Sequence, residues 1–280
     1  MSTEATKDLC EILLPDSGFL QEEEASYRNK TKTTKHSPAL PLYTERDGRN
    51  SIQKFVPKKL NEFFETGPFK IKFLEAGHIL GAASVYIECD GKTIVFSGDL
   101  GRFDDLLMTS PSLCPDVNYV VMESTYGDRI HSNDDPIEVI GEILERLIPQ
   151  KGVLMIPSFA VGRAQQLMYI MYEIFKKYPH LKVPVFLNSP MATNVTHLFK
   201  KHADEHKLSP YMCDEVFGAV HYVQSVEESK QLNESHGPMV IISASGMLTG
   251  GRIVHHLKAF AGSANNAILL AVSGPRDSRA

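Results

Sequence analysis

From residue 69 the chain alternates apolar and polar positions. "FKIKFLEA" (69–76) has the two-residue period of a half-buried strand. "SVYIECDGKTIVFSGD" (84–99) reads as two more strands joined at Asp90-Gly91, a hairpin signal because both positions tolerate positive φ. "NYVVMES" (118–124) adds a short strand, so an antiparallel-rich sheet is expected to end near residue 125. Beyond Pro136 the period changes. "PIEVIGEILERLI" has helical spacing, and after it strands and helices alternate. The strands are "GVLMIPS", "VPVFLNS", "PMVIISAS" and "NAILLAVS"; the helices are "RAQQLMYIMYEIFKKY", "TNVTHLFKKHADEHK" and "RIVHHLKAF". Strands this apolar belong to a parallel sheet flanked by helices. Two architectures are therefore expected to meet at residues 125–135.

Residues 1–60 are less regular. "DLCEILL" predicts a short helix stopped by Pro15, and the acidic "QEEEA" and basic "RNKTKTTKH" read as a solvated helix-loop face. Composition changes this picture little: 280 residues, 42% hydrophobic and 22% charged, suffice for two domains with their own cores. The net charge of −5 leaves no basic excess to coat a nucleic acid indiscriminately, so any such binding needs a focused groove. Cys10, Cys89, Cys114 and Cys213 are far apart and form no CxxC pair, which argues against a zinc finger and fits reduced thiols in the cytoplasm. There is no apolar run of membrane-spanning length and no charged-then-apolar export pattern, so no membrane partner is expected.

Candidate chemistry falls in two groups. His78, Asp99 and Glu123 sit at or just beyond predicted strand ends, where side chains of adjacent strands converge on one sheet edge. Such a trio suits a metal site, with imidazole and carboxylate as ligands. On residue type alone, Asp99 in "SGDLG" reads equally as a turn residue, and Glu123 before Ser124-Thr125 as part of a cap. The second group is three strand-to-helix turns: "IPSFAVGRAQ" with Ser158, Gly162 and Arg163, "LNSPMATNVT" with Ser189, and "SASGMLTGGRIV" with Ser245, Gly246 and Arg252. Helix N-termini carry unpaired N–H groups and partial positive charge. Three along one edge make a track for a phosphate backbone, with Arg163 and Arg252 as charge partners. They read equally as compact β-to-α turns. His255-His256 fall on the helix after the third turn, one toward a ligand groove and one toward solvent; His202, His206 and His221 read as surface residues.

Taken together and in order, "GHILGAAS", "FSGDLGR", "ESTYGDR", "IPSFAVGRAQ", "NSPMA" and "ASGMLTGGR" resemble the β-CASP branch of the metallo-β-lactamase superfamily. The resemblance implies an α/β protein: the C-terminal half of a metallo-β-lactamase αββα domain (1–132) plus most of an inserted β-CASP α/β domain with a parallel sheet (133–280). It implies a zinc-dependent nuclease that hydrolyses RNA phosphodiesters with two Zn2+ ions and grips single-stranded RNA by its phosphate backbone. By motif, His78 resembles a ligand of one zinc, Asp99 a bridging ligand, and Glu123 a carboxylate that orients a catalytic histidine. The serine and glycine turns match regions lining the RNA groove. A homodimer is left open.

The departures shape what this chain is expected to do. The family's H-x-H-x-D-H ligand run is absent, the only histidine before residue 78 being His36. Later histidines of the β-CASP pattern are absent as well. After "NAILLAVS" the family continues with a Q-A-x-G-T-R-G run, whereas residues 274–280 read "GPRDSRA", as the same nucleotides shifted by two bases would encode. The opening "MSTEATKDLC" resembles an internal stretch of bacterial members. A fragment is expected, with little or no activity alone and unpartnered strand edges. Two other functions fit the residues: a non-catalytic RNA-binding module, and a hydrolase of a small ester.

Overall fold

A computed structural model describes residues 1–128, 130, 134–248 and 250–270. The residues 271–280, which hold the expected out-of-frame tail and the end of the last expected strand, lie outside the described residues. The chain divides into two compact units, Met1–Glu123 and Ser124–Ala280.

In the first unit, strand β1 (Ser2–Thr3) leads into helix α1 (Glu4–Thr31), whose first turn is capped by Thr3 Oγ1 accepting from Thr6 N–H. The helix runs through Pro15, where the sequence predicts a stop. Pro15 is buried, and helix α2 (Glu45–Ser51) packs beside it through two glycines. A Cβ on Gly48 would lie 2.5 Å from the Leu14 carbonyl oxygen, and one on Gly18 would lie 2.4 Å from that of Thr44. Backbone-to-backbone packing on both sides offsets the hydrogen bond that proline removes. The charged stretch after Pro15 forms the solvated second half of α1 and the loop beyond it.

Strand β2 (Pro57–Lys58) pairs with β1 in parallel. The main sheet of the unit has the order β3 (Phe63–Thr66), β4 (Phe69–Glu75), β5 (Ala83–Cys89), β6 (Lys92–Phe96), β7 (Tyr119–Val121). Its first three pairings are antiparallel and β6–β7 is parallel. The β5–β6 hairpin closes as expected, Cys89 opposite Lys92, with φ of 48° at Asp90 and 69° at Gly91.

In the second unit, α3 (Pro136–Leu147), β8 (Val153–Pro157), α4 (Arg163–Lys177), β9 (Val185–Asn188) and α5 (Pro190–Lys201) follow the predicted alternation. Between the helix expected from "TNVTHLFKKHADEHK" and the strand expected from "PMVIISAS", the chain folds as α6 (Pro210–Gly218), β10 (His221–Tyr222) and α7 (Val226–Glu234). β11 (Met239–Ser243), α8 (Arg252–Phe260) and β12 (Ala267–Ile268) complete it. All pairings are parallel, in the order β10-β9-β11-β8-β12. The central strands β8 and β11 are buried at every position, which is why their sequences are apolar without alternation. Val153, Met155, Met239 and Ile241 pack with Leu232, Ile253 and Phe260 of α7 and α8.

Three histidine expectations change. His202 and His206 are buried rather than on the surface. His206 Nε2 lies 2.7 Å from the Phe199 carbonyl oxygen, its Nδ1 accepts from Leu208 N–H, and desolvation lowers its pKa. His256 is fully buried, facing neither groove nor solvent, whereas His255 is exposed.

Candidate functional site

The loop after β4 carries His78 and the loop after β6 carries Asp99. β4 and β6 flank β5, each antiparallel to it, so both run the same way and their loops leave one edge of the sheet, where glycines let them touch. Gly101 N–H donates to the Ala76 carbonyl at 2.8 Å, and a Cβ on Gly101 would sit 1.9 Å from the Gly77 oxygen. Gly77 itself has φ of 64° and leaves no room for a Cβ beside the Thr109 carbonyl. On the other side of the His78 loop, the Gly81 carbonyl accepts from both Thr3 Oγ1 and Thr6 Oγ1, each at 2.8 Å. The loop is thus held between the start of α1 and the Asp99 loop.

This clamp brings His78 Nε2 to 4.0 Å from Asp99 Oδ2. Both side chains are open to solvent, 43% and 74% exposed. An imidazole nitrogen and a carboxylate oxygen facing each other suit a divalent cation such as zinc. Among the described residues no group of three or more His, Cys, Asp or Glu side chains is placed to hold a metal.

Glu123 reaches the same place from β7. Its Oε1 accepts the Leu100 N–H at 2.8 Å, and its own N–H donates to Ser97 Oγ at 3.0 Å. Ser97 and Leu100 bracket Asp99 on either side, so Glu123 braces the loop that presents Asp99.

In the second unit, the three serine turns follow β8, β9 and β11 at the C-terminal edge of the parallel sheet, where ligands bind in open α/β folds. Ser158 N–H donates to the Ser243 carbonyl at 2.9 Å, tying the first turn to the third. Ser189 caps α5, its Oγ accepting from Ala192 N–H. Gly246 packs on Phe159 of the first turn, where a Cβ would meet the ring and the backbone nitrogen at 3.1 Å. Gly162 and Gly251, the residues before α4 and α8, adopt φ of 76° and 75°.

The two arginines have different situations. Arg163 is exposed, with Nη1 on Gln166 Oε1 at 2.5 Å. Arg252 is turned inward: Nη1 donates to Asn188 Oδ1 at 2.7 Å and the Val223 carbonyl at 3.1 Å, and Nη2 to the Gln224 carbonyl at 2.6 Å. Burial lowers the guanidinium's pKa, opposed by nearby Glu228. Nothing in the sequence pointed to Asn188 as the partner of Arg252, to the His256 and Asn233 side chains linked behind it, or to the buried Gln165 of α4. "NSPMA" contains Asn188, but nothing in its spacing signals a hydrogen-bond hub.

Residues 164–280 match the Beta-Casp domain. The chain is 34% identical to "Ribonuclease TTHA0252" of Thermus thermophilus, over 96% of this chain and 59% of that protein. It is 30% identical to "Probable RNase MJ4" of Methanocaldococcus jannaschii, over 99% of this chain and 62% of that protein. With "Integrator complex subunit 11" of Danio rerio it shares 26% identity over 96% of this chain and 43% of the relative. The chain thus spans about 60% of the length of the two ribonucleases.

Proposed function

The chain belongs to the β-CASP branch of the metallo-β-lactamase-fold nuclease family, and from that premise we propose that it serves metal-dependent hydrolysis of RNA phosphodiester bonds. In this reading residues 1–132 are a partial metallo-β-lactamase domain and residues 133–280 a partial β-CASP domain. The family's nucleases are metal-dependent, and zinc is the ion proposed here. The observation that carries the reading is the His78–Asp99 pair, 4.0 Å apart on two loops clamped by glycine contacts. His78 and Asp99 would hold the cation, which when bound neutralises phosphate charge and makes water a stronger nucleophile. Glu123 would keep Asp99 in place through the Leu100 N–H. The turns at Ser158, Gly162, Ser189, Ser245 and Gly246, with the exposed Arg163, would hold phosphate oxygens of a single strand by backbone N–H groups and charge.

Two protein donors are fewer than the three that catalytic zinc sites ordinarily use. The chain by itself is therefore proposed to bind RNA and to cleave it slowly or not at all. The second reading, an RNA-binding module without catalysis, draws on the same observation that no third donor converges among the described residues. The deciding experiment adds zinc and a labelled single-stranded RNA to the purified chain. Salt-sensitive binding with turnover at background is expected. Zinc-dependent turnover that disappears in Asp99→Ala would overturn the claim of inactivity, and absence of binding at low salt would overturn the RNA reading.

A further inference from the structure

The turns of the parallel-sheet edge are joined beneath the surface by a polar network that plays no part in the chemistry above. Its hub is Asn188, the last residue of β9, which is fully buried. Asn188 Oδ1 accepts from Arg252 Nη1 at 2.7 Å. Its Nδ2 lies 2.8 Å from Ser229 Oγ and 2.7 Å from His256 Nε2, and its carbonyl accepts from Ser243 Oγ at 2.9 Å. The arrangement has one consistent set of protons. A guanidinium only donates, so Asn188 must turn its oxygen to Arg252 and its NH2 toward His256. His256 must then accept at Nε2 and carry its proton on Nδ1, where Asn233 Oδ1 accepts it at 2.6 Å. A second proton on His256 would set two N–H donors against each other, and flipping Asn188 would only move that conflict to Arg252. Arg252 and His255 of α8 are the charged or titratable groups that act on the ring; Asn188 of β9 and Ser229 and Asn233 of α7 are neutral, and Glu228 of α7 acts on Arg252.

The network reaches both neighbouring turns. Asn188 directly precedes Ser189, the cap of α5, and Ser243 lies two residues before Ser245. Arg252 opens α8, and Ile253 N–H donates to the Ala244 carbonyl at 3.0 Å. Gln165 makes a similar stitch between the first and second turns, its Nε2 donating to the carbonyls of Ala160 and Ala192.

We propose that Asn188 is the positioning residue of this edge, fixing Ser189 and the Ser245–Arg252 turn relative to each other through Arg252 and a neutral His256. It touches no ligand, and its effect on RNA rests on reading these turns as the phosphate site. The test compares the full chain with Asn188→Leu, Asn188→Asp, His256→Leu and His256→Gln at pH 7.5. Each is probed with a fluorescein-labelled oligouridylate by anisotropy and with 15N spectra of the backbone and the histidine rings. Asn188→Leu and His256→Leu should each weaken RNA binding about tenfold, the size of one buried hydrogen bond. The Ser189 and Gly246 amide signals should shift in both. His256→Gln, whose amide oxygen can accept from Asn188, should restore the amide signals and most of the affinity. The His256 ring should show the Nδ1–H tautomer in the wild type and two protons in Asn188→Asp, where a carboxylate replaces the amide donor. Unmoved amides and wild-type affinity in a folded Asn188→Leu variant would overturn the proposal, as would an Nε2–H tautomer in the wild type. Should Asn188→Leu not fold, the His256 pair and the ring signals decide. RNA binding that ignores salt in the wild type would defeat the phosphate reading alone, leaving the network to be judged on the ring and amide signals.

Discussion

Glycines with similar sequence surroundings have very different duties here, and substitution separates them. A Cβ on Gly101 would lie 1.9 Å from the Gly77 oxygen, whereas one on Gly91 of the hairpin would meet nothing within 4 Å. Gly91→Ala should therefore cost only the left-handed backbone penalty, about 1 kcal/mol. Gly101→Ala must push the two loops apart and should cost about 2–3 kcal/mol. It should also abolish any measurable zinc binding, because His78 and Asp99 face each other only while those loops touch. Urea unfolding and calorimetric zinc titration of both variants check this. A second residue-scale expectation concerns His256, whose pKa burial pushes down to about 4 from 6.5, with help from His255 and Arg252. The unfolded chain binds that proton first, so stability is fully present above about pH 6.5 and falls as pH drops toward 4. The loss amounts to about 3 kcal/mol at most. His206, also lowered by burial, acts in the same direction. Unfolding free energies at pH 7.5 and 4.5 should differ by less in His256→Gln than in the wild type. The convergence of His78 and Asp99 was legible because strand ends and small residues announce where side chains meet. Asn188 and His256 were not, since they are 68 positions apart in the chain and meet only through the fold.

At the scale of elements, periodicity succeeded where a strand is buried throughout or a turn signal joins two alternating runs. The β5–β6 hairpin and the apolar strands β8, β9 and β11 fall where the pattern puts them. It failed at α1, because proline's local cost is offset by a contact that residues 44–48 supply from another element. Amphipathicity gave no warning, since most of the later turns of α1 are solvated. β3, α6 and α7 were missed for a related reason: they are short and their burial is partial. The glycine contacts of α1 and α2 make the strongest expectation at this scale. Gly48→Ala places a methyl against the Leu14 carbonyl and the Pro15 nitrogen, so α2 must lift off α1. A loss of about 2 kcal/mol is expected, with increased hydrogen exchange across residues 44–54. Unchanged protection there would mean that α2 does not hold the proline turn.

At the scale of the whole molecule, the two units differ in how well their sheets are covered. The parallel sheet of the second unit places its central strands fully inside, while the first unit ends its sheet on β7 with apolar residues open on both faces. Tyr119, Val120, Val121 and Met122 are each more than half exposed, and Phe96 on the adjacent strand is 40% exposed. β7 pairs only with β6 among the described residues, so its other edge offers backbone groups to any strand that approaches. An apolar edge of this kind favours edge-to-edge association. The chain at tens of micromolar is therefore expected to run as a mixture of oligomers in size-exclusion chromatography. Introducing charge at the edge should oppose this association without disturbing the interior, because none of these side chains is buried. Val120→Lys with Met122→Lys should shift the population toward monomer and leave the thermal midpoint within about 2 °C, as surface substitutions ordinarily do. If the doubly substituted chain keeps the wild-type elution profile, association runs through another surface, and the open edge of β7 is not what drives it.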